Sequence, residues 1–317
     1  MTAEPTVSCR DAVTAALVVA MAGLLLGPAL LEAREDARNK QCMMNLKQLG
    51  LAVYNYHDTY TVFPPGYVAT DFDSATAGGN GWQTAILPFV DQRPLYERID
   101  FGERSLEGKN RTIFETPVEL YRCPLDALQE VNAARGGFGS STYSGNAGHR
   151  SLNAGLPDAM ATFWPGGTAP TKDALRPTPN ARRPRNLEGV ELGRWACTGL
   201  FAVNSSYRMR DIRDGTSNTF LMGERSVLGS GGIWPGVRSA GTPNDALTDC
   251  SHANRLGTIG GFSSLHDDVA VNMGFCDGTV RRVSTSIGST PDSLPTENFG
   301  LLQRLANRND ALVIGEF

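Results

Sequence analysis

The side chains able to do chemistry in this 317-residue chain are few, with four histidines and six cysteines among them. His266, followed by Asp267 and Asp268, is the strongest acid–base or metal candidate, because an imidazole titrating near neutrality beside carboxylates can move a proton or hold an ion. With Asp267 and Asp277 it would form the centre of a hydrolase; the plainer role is hydrogen bonding at the base of a hairpin. His57 adjoins Asp58 on a helical stretch with no nucleophile at matching spacing, which suits a packed or capping histidine better than a catalytic one. His149 closes a Ser-Gly-Asn-Ala-Gly loop and His252 follows Cys250-Ser251, and neither has two further ligands at metal spacing. Cys9, Cys42, Cys123, Cys197, Cys250 and Cys276 include no C-x-x-C pair, so a zinc site has no local signature. Disulfides are the better reading if the part of the chain after Cys9 lies outside the cytoplasm; Cys9 then stays on the cytoplasmic side and five cysteines remain, so at least one is unpaired or pairs with another chain. Asp71 and Asp73 lack the remaining ligands of a calcium loop. No G-x-S-x-G, H-E-x-x-H or P-loop pattern occurs. The expectation is a protein that is not an enzyme, with no cofactor and no metal.

What must position these residues is dominated by one stretch, from about Ser8 to Tyr60. Residues 12 to 31 carry no charge, and at ~1.5 Å per residue they suffice to cross a hydrocarbon core ~30 Å thick. Ser8 and Asp11 make a capping-box-like start. Pro28 in such a segment kinks more often than it terminates. Beyond the acids and bases of 32–40, Leu46, Leu49, Val53, Tyr56 and Tyr60 recur at spacings of three and four, one stripe of an amphipathic helix. The competing reading is a cleaved signal peptide ending near Gly27-Pro28-Ala29. The implied division is a leader over 1–11, a membrane-spanning then amphipathic stem over 12–60, and a globular head over 61–317.

Net charge is −4 with 20% charged residues, which gives no general ground for nucleic-acid binding. The arginines at 176, 182, 183 and 185 lack interleaved aromatic platforms and read as a solvated insertion. Phe63-Pro64-Pro65-Gly66 stops the stem helix. Trp82, Ala85, Ile86 and Phe89 sit at helical spacing, and Pro94 opens a second short helix with Leu95, Tyr96 and Ile99. Pro124 biases Cys123 towards extended backbone. From Gly136 to Arg194 the chain reads as turns. Asp214-Gly215 turns into a strand at Thr219–Met222. Val269, Val271, Met273 and Phe275 alternate with Ala270, Asn272, Gly274 and Cys276, then Asp277-Gly278 turns the chain into Thr279–Val283: an antiparallel hairpin. Phe299, Leu302 and Leu305 give a last helix, and Leu312-Val313-Ile314 a terminal strand or extended tail.

Together these segments resemble the bacterial pilin-like proteins grouped as domain of unknown function 1559. The resemblance rests on Gln41-Cys42-Met43-Met44-Asn45-Leu46-Lys47-Gln48-Leu49-Gly50, His57-Asp58, Phe63-Pro64-Pro65-Gly66, Leu87-Pro88-Phe89, Tyr121-Arg122-Cys123-Pro124, Tyr143-Ser144-Gly145-Asn146, Asp214-Gly215-Thr216-Ser217-Asn218, Gly223-Glu224-Arg225, and an H-x9-DG-like element from His266 to Asp277-Gly278. It implies an α+β fold, with a prepilin-type stem helix packed on a loop-rich, pilin-like head containing an antiparallel sheet. The chain departs from the pattern twice. Thr6, Val7 and Asp11 stand where the leader glycine, phenylalanine and glutamate belong, which favours an uncleaved anchor, and ten residues rather than nine separate His266 from Asp277.

The implied function is a non-enzymatic cell-envelope protein, single-pass in the inner membrane, with its head in the periplasm or at the cell surface. Its partners would be the membrane, sister subunits or a secretion or pilus assembly machine, and not nucleic acid. The bases at 34, 38, 40 and 47 against Arg10 alone vote for the opposite orientation under the positive-inside rule. A glycan-binding head using Trp164, Trp195 and Trp234 is the alternative. A Cys42–Cys123 disulfide is expected where a helix cysteine just past the membrane meets an extended Cys-Pro segment.

Overall fold

A computed structural model describes residues 9–68, 78–103, 106–126, 129–149, 197–227, 230–239, 242–251, 256–258, 260–266, 269–290, 298–312 and 314. Helix α1 runs without interruption over Cys9–Tyr60, 52 residues, and Pro28 does not end it. It stops where Thr61 takes a left-handed φ of 62° and its amide closes onto the His57 carbonyl, just before the two prolines. Cys42, Leu46, Leu49, Val53 and Tyr56 are buried at the three- and four-residue spacing read from the sequence. Every described side chain from Arg10 to Arg38 is exposed. Among the described residues no helix is long and apolar enough to cross a membrane; most side chains between positions 11 and 28 lie outside that set.

Four short helices follow: α2 (Trp82–Ile86), continued by a 3-10 turn at Leu87–Phe89, α3 (Arg93–Arg98) opened by Pro94, α4 (Arg111–Phe114) and α5 (Leu301–Ala306). Ten strands are present among the described residues. They are β1 (Gly79–Asn80), β2 (Val131–Asn132), β3 (Phe138–Ser141), β4 (Tyr143–Gly148), β5 (Phe220–Glu224), β6 (Gly232–Ile233), β7 (Gly236–Val237), β8 (Leu247–Asp249), β9 (Ala270–Phe275) and β10 (Val280–Ser284). The main sheet has the order β10-β9-β5-β4-β8, and two small sheets, β2-β3-β6 and β1-β7, flank it. All pairs in the main sheet are antiparallel except β4 with β8, which is parallel, so the α+β class holds and the sheet is mixed.

The β9–β10 hairpin pairs Val280 with Gly274 through to Ser284 with Ala270, in the register its alternation requires. Gly278 turns it at φ +82°. The Ser-Gly-Asn-Ala-Gly run, in contrast, is strand β4 and not a loop. All six residues of β4 are buried, with the Phe201 ring so close to Gly145 that a β-carbon there would lie 2.7 Å from it. Leu312 and Ile314 are not in a strand, and Val313 lies outside the described residues. Two apolar clusters fill the head: one joins α1 to Trp82, Tyr121, Tyr143 and Trp234, and the other joins Phe220 and Phe275 to Leu302 and Leu305.

Candidate functional site

The cluster richest in chemistry forms where α1 enters the head. Cys42 lies on the buried stripe of α1, and Cys123 follows the 3-10 turn Glu119–Tyr121 and the extended Arg122. Their Cα atoms are 5.3 Å apart and the two sulfurs are joined in a disulfide. Three bonds hold the segment in place. The Cys123 amide donates to Thr142 Oγ1 at 2.6 Å, Asn45 Nδ2 donates to the Arg122 carbonyl at 3.1 Å, and the Tyr143 hydroxyl reaches the Cys42 carbonyl at 3.4 Å. Gln41 Nε2 donates to Asn45 Oδ1 and fixes that amide.

Two further groups close over the disulfide. His266 follows Ser264, whose hydroxyl accepts its backbone amide, and places Nε2 3.1 Å from Cys123 Sγ. Glu224, the last residue of β5, sets Oε1 3.7 Å from the same ring nitrogen and accepts a 3.0 Å bond from Asn272 Nδ2. The same Asn272 amide donates to Asn39 Oδ1 on α1, so a single β9 side chain ties Glu224 to the stem. The side chains of His266 and Glu224 keep only 5% and 3% of their exposure.

Burial sets the electrostatics. Glu224 is pushed up to about 7, chiefly by loss of solvent, with Asp126 adding and the bonds from Asn272 and Ser264 opposing. His266 is lowered, first by burial and then by the positive charge of Arg282, against the pull of Glu35. Tyr143 is raised well above its ordinary value by burial. Burial thus favours the uncharged form of each group. Glu224 Oε2, His266 Nδ1 and Asn272 Oδ1 are buried without a hydrogen-bond partner.

The sequence singled out other residues that do not converge here. Asp277 and Gly278 lie beyond the far end of β9, ~20 Å along the strand from its start, where Asp277 Oδ1 accepts the amide and hydroxyl of Thr279. His266 and Asp277 thus do not meet, and the alternative of a hydrolase centre built on the two is not assembled; Asp267 lies outside the described residues. The turn end of the element instead meets α1 near Tyr54, and Asn272 meets it at Asn39, so β9 runs alongside the helix. His57 packs on Phe63 with ring centroids 4.7 Å apart. His149 pairs with Thr198 Oγ1 at 2.8 Å and packs at a tilt against Phe299.

Asp214 accepts the backbone amides of Asp310 and Ala311, each at 2.8 Å, and Gly215 turns at φ +93°, so this motif clamps the C-terminal segment. Leu46 and Pro64 are buried, Pro65 partly so, and Lys47 and Pro124 are exposed. Gly66 packs against the backbone of Phe201 and Ala202. Trp234 is buried and donates to the Thr116 carbonyl, which removes it from any glycan platform; Trp164 and Trp195 lie outside the described residues. Outside them also are Thr6 and Val7, the side chain of Asp11, His252, Asp71, Asp73 and the arginines between 176 and 185.

Glu224 was visible only as part of a Gly-Glu-Arg motif, and Asn39 and Asn272 carried no signal. Cys42, Cys123, Glu224 and His266 are separated by dozens of residues, so no spacing rule joins them. Their donor atoms nonetheless lie within 4.8 Å of one another.

No curated protein and no solved structure matches the chain. A family model does match, over residues 32–290, from just past the uncharged segment to just past the hairpin. That span covers the stem's packed half, the disulfide and the whole His266–Gly278 element, and the chain belongs to the family described as Protein of unknown function (DUF1559).

Proposed function

We propose that the chain is a membrane-anchored, pilin-like envelope protein with a structural or assembly role, its head held outside the cytoplasm and its leader retained. The observation that carries this reading is the divided character of α1. From Asn39 onward the helix packs on the head, while Leu17, Val18, Met21, Leu30 and Leu31 are each at least 58% exposed. Nothing in the described head covers them. Large apolar side chains placed all round a helix are stable in lipid or against sister helices, and passage from one to the other costs little because lipid tails and leucines are equally apolar. Family membership is consistent with such a role. The Cys42–Cys123 disulfide favours an oxidising compartment and weighs against the orientation counted from basic residues.

The test is fractionation of the native protein with intact-mass analysis. The expected outcome is a chain that resists alkaline extraction from membranes and keeps residues 1–6. Release by alkali would overturn the anchor, and a mature N-terminus at Val7 would overturn the uncleaved form.

A further inference from the structure

We propose that Cys42, Cys123, Glu224 and His266 form a redox-gated metal site, in which the reduced cysteines, His266 Nε2 and a Glu224 carboxylate oxygen bind one divalent ion of the zinc class. Two thiolates, one imidazole and one carboxylate are the donors that borderline-soft, tetrahedral ions select. With metal–ligand bonds of ~2.0–2.3 Å, the ligand atoms of a tetrahedral site sit roughly 3.5 Å apart. His266 Nε2 already stands 3.1 Å from Cys123 Sγ and 3.7 Å from Glu224 Oε1, and the whole donor set fits within 4.8 Å. Only the two sulfurs must separate. Their Cα atoms, 5.3 Å apart, allow this by rotation about the Cα–Cβ bonds.

A second observation points to a cation. Glu224 Oε2 is a buried acceptor with no donor, and among the described residues the ion pair of this carboxylate is with His266 alone. A bound dication removes that deficit. Asn272 Nδ2, already on Glu224 and anchored to Asn39, supplies the outer hydrogen bond that orients the carboxylate. Arg282, whose charge reaches His266, offsets the net negative charge left by three anionic ligands and one dication.

The redox step needs a reductant, here a small-molecule thiol. Its thiolate attacks one sulfur of the Cys42–Cys123 bond, forming a mixed disulfide and releasing the other cysteine as thiolate. A second reductant thiolate attacks the mixed disulfide, freeing the remaining cysteine and leaving as the reductant's own disulfide. Two electrons pass to the cysteines, and the two thiolates formed are the ones that take the metal. The disulfide and the metal therefore exclude each other. This inference does not depend on whether residues 12–31 lie in lipid.

The experiment uses the full chain in detergent. It is reduced anaerobically with excess small thiol, freed of reductant by gel filtration and titrated with cobalt(II), a spectroscopic stand-in for zinc. The expected result is one cobalt per chain, with thiolate-to-cobalt charge transfer, the strong visible bands of tetrahedral cobalt, and displacement by zinc. Untreated, disulfide-bonded protein should show none of these. Glu224→Gln and His266→Ala keep both cysteines, and their folding is checked by circular dichroism before reduction. Each should weaken cobalt binding by at least about tenfold. Absence of the sulfur-to-cobalt bands in the reduced wild type would overturn the proposal. So would a spectrum and affinity unchanged in either variant, or unchanged in Cys123→Ser, since Cys197, Cys250 and Cys276 would then be the donors.

Discussion

Two buried acids in the head are treated in opposite ways. Asp245, with no exposed side-chain surface, accepts Arg135 Nη1 at 2.7 Å and Arg238 Nε, backbone N and Nη2 at 2.9, 3.0 and 3.1 Å. Both its oxygens are used, and two guanidinium groups compensate its charge. Glu224 is almost as deeply buried, yet among the described residues its company is the Asn272 amide, the Ser264 hydroxyl, a histidine and two sulfurs, with no guanidinium on it and one oxygen left over. Burying a charge is costly unless it is paired and hydrogen-bonded. The first acid meets that condition within the chain and reads as structure. The second does not, and an incompletely satisfied buried group is where a ligand or a change of state enters.

The largest expected effect lies at the compensated site. Asp245→Ala leaves Arg135 buried without its anion, and chemical denaturation should show a loss of ~3–5 kcal/mol. A loss under ~1 kcal/mol would mean the cluster is not the closed unit its geometry implies. The uncompensated acid should behave in reverse. Glu224 titrates at about 7 in the folded protein against an ordinary value of 4.5, so the folded state binds the extra proton between those limits. Stability of the disulfide-bonded, metal-free head should therefore fall as pH rises from about 4.5 to about 7. Glu224→Gln should abolish that slope and stabilise at pH ~8 by up to ~3 kcal/mol, while changing little at pH ~4. Thermal melts across that range check both. Equal destabilisation at all pH values would place Glu224 in the same class as Asp245.

A third acid calibrates the scale. Asp214 accepts two backbone amides near the chain's end, and Asp214→Ala should cost only ~1–2 kcal/mol. The effect should appear as faster hydrogen exchange at Asp310 and Ala311, with the sheet amides unchanged.

Much of this frame was legible in the residues. Hairpin β9–β10 followed from strict alternation, α3 from Pro94, and the buried stripe of α1 from its three- and four-residue spacing. Strand β4 was not, because Ser144, Gly145, Ala147 and Gly148 are small and turn-like by type. They are strand because both faces of the main sheet are covered at β4, and Phe201 lies where a larger residue at Gly145 would need room. The site divided along the same line. The Cys42–Cys123 link could be anticipated from the helix and the Cys-Pro segment, and His266 stood out among few histidines. Glu224 could not be chosen from 33 acidic residues, since it is the bridge between Arg225 and Ser263, with the Ser263 amide on the Glu224 carbonyl, that brings it to His266. The length of β9 separates His266 from Asp277, the residues that the sequence had joined.

The close run of β9 beside α1 also has a mechanical meaning. Asn272 meets the helix at Asn39 and Gly278 meets it near Tyr54, so strand and helix advance in the same sense over the packed half of the stem. Tension applied at the N-terminal end enters the head at Asn39–Cys42. There one covalent bond passes it to the Cys123 segment, and the strand beside the helix takes the remainder in shear, which loads many contacts at once. The same four-residue step is where reduction would act. A head with its disulfide opened would feel the same pull as peeling from that corner, so the bond decides how the stem can be loaded as well as how firmly the head is folded.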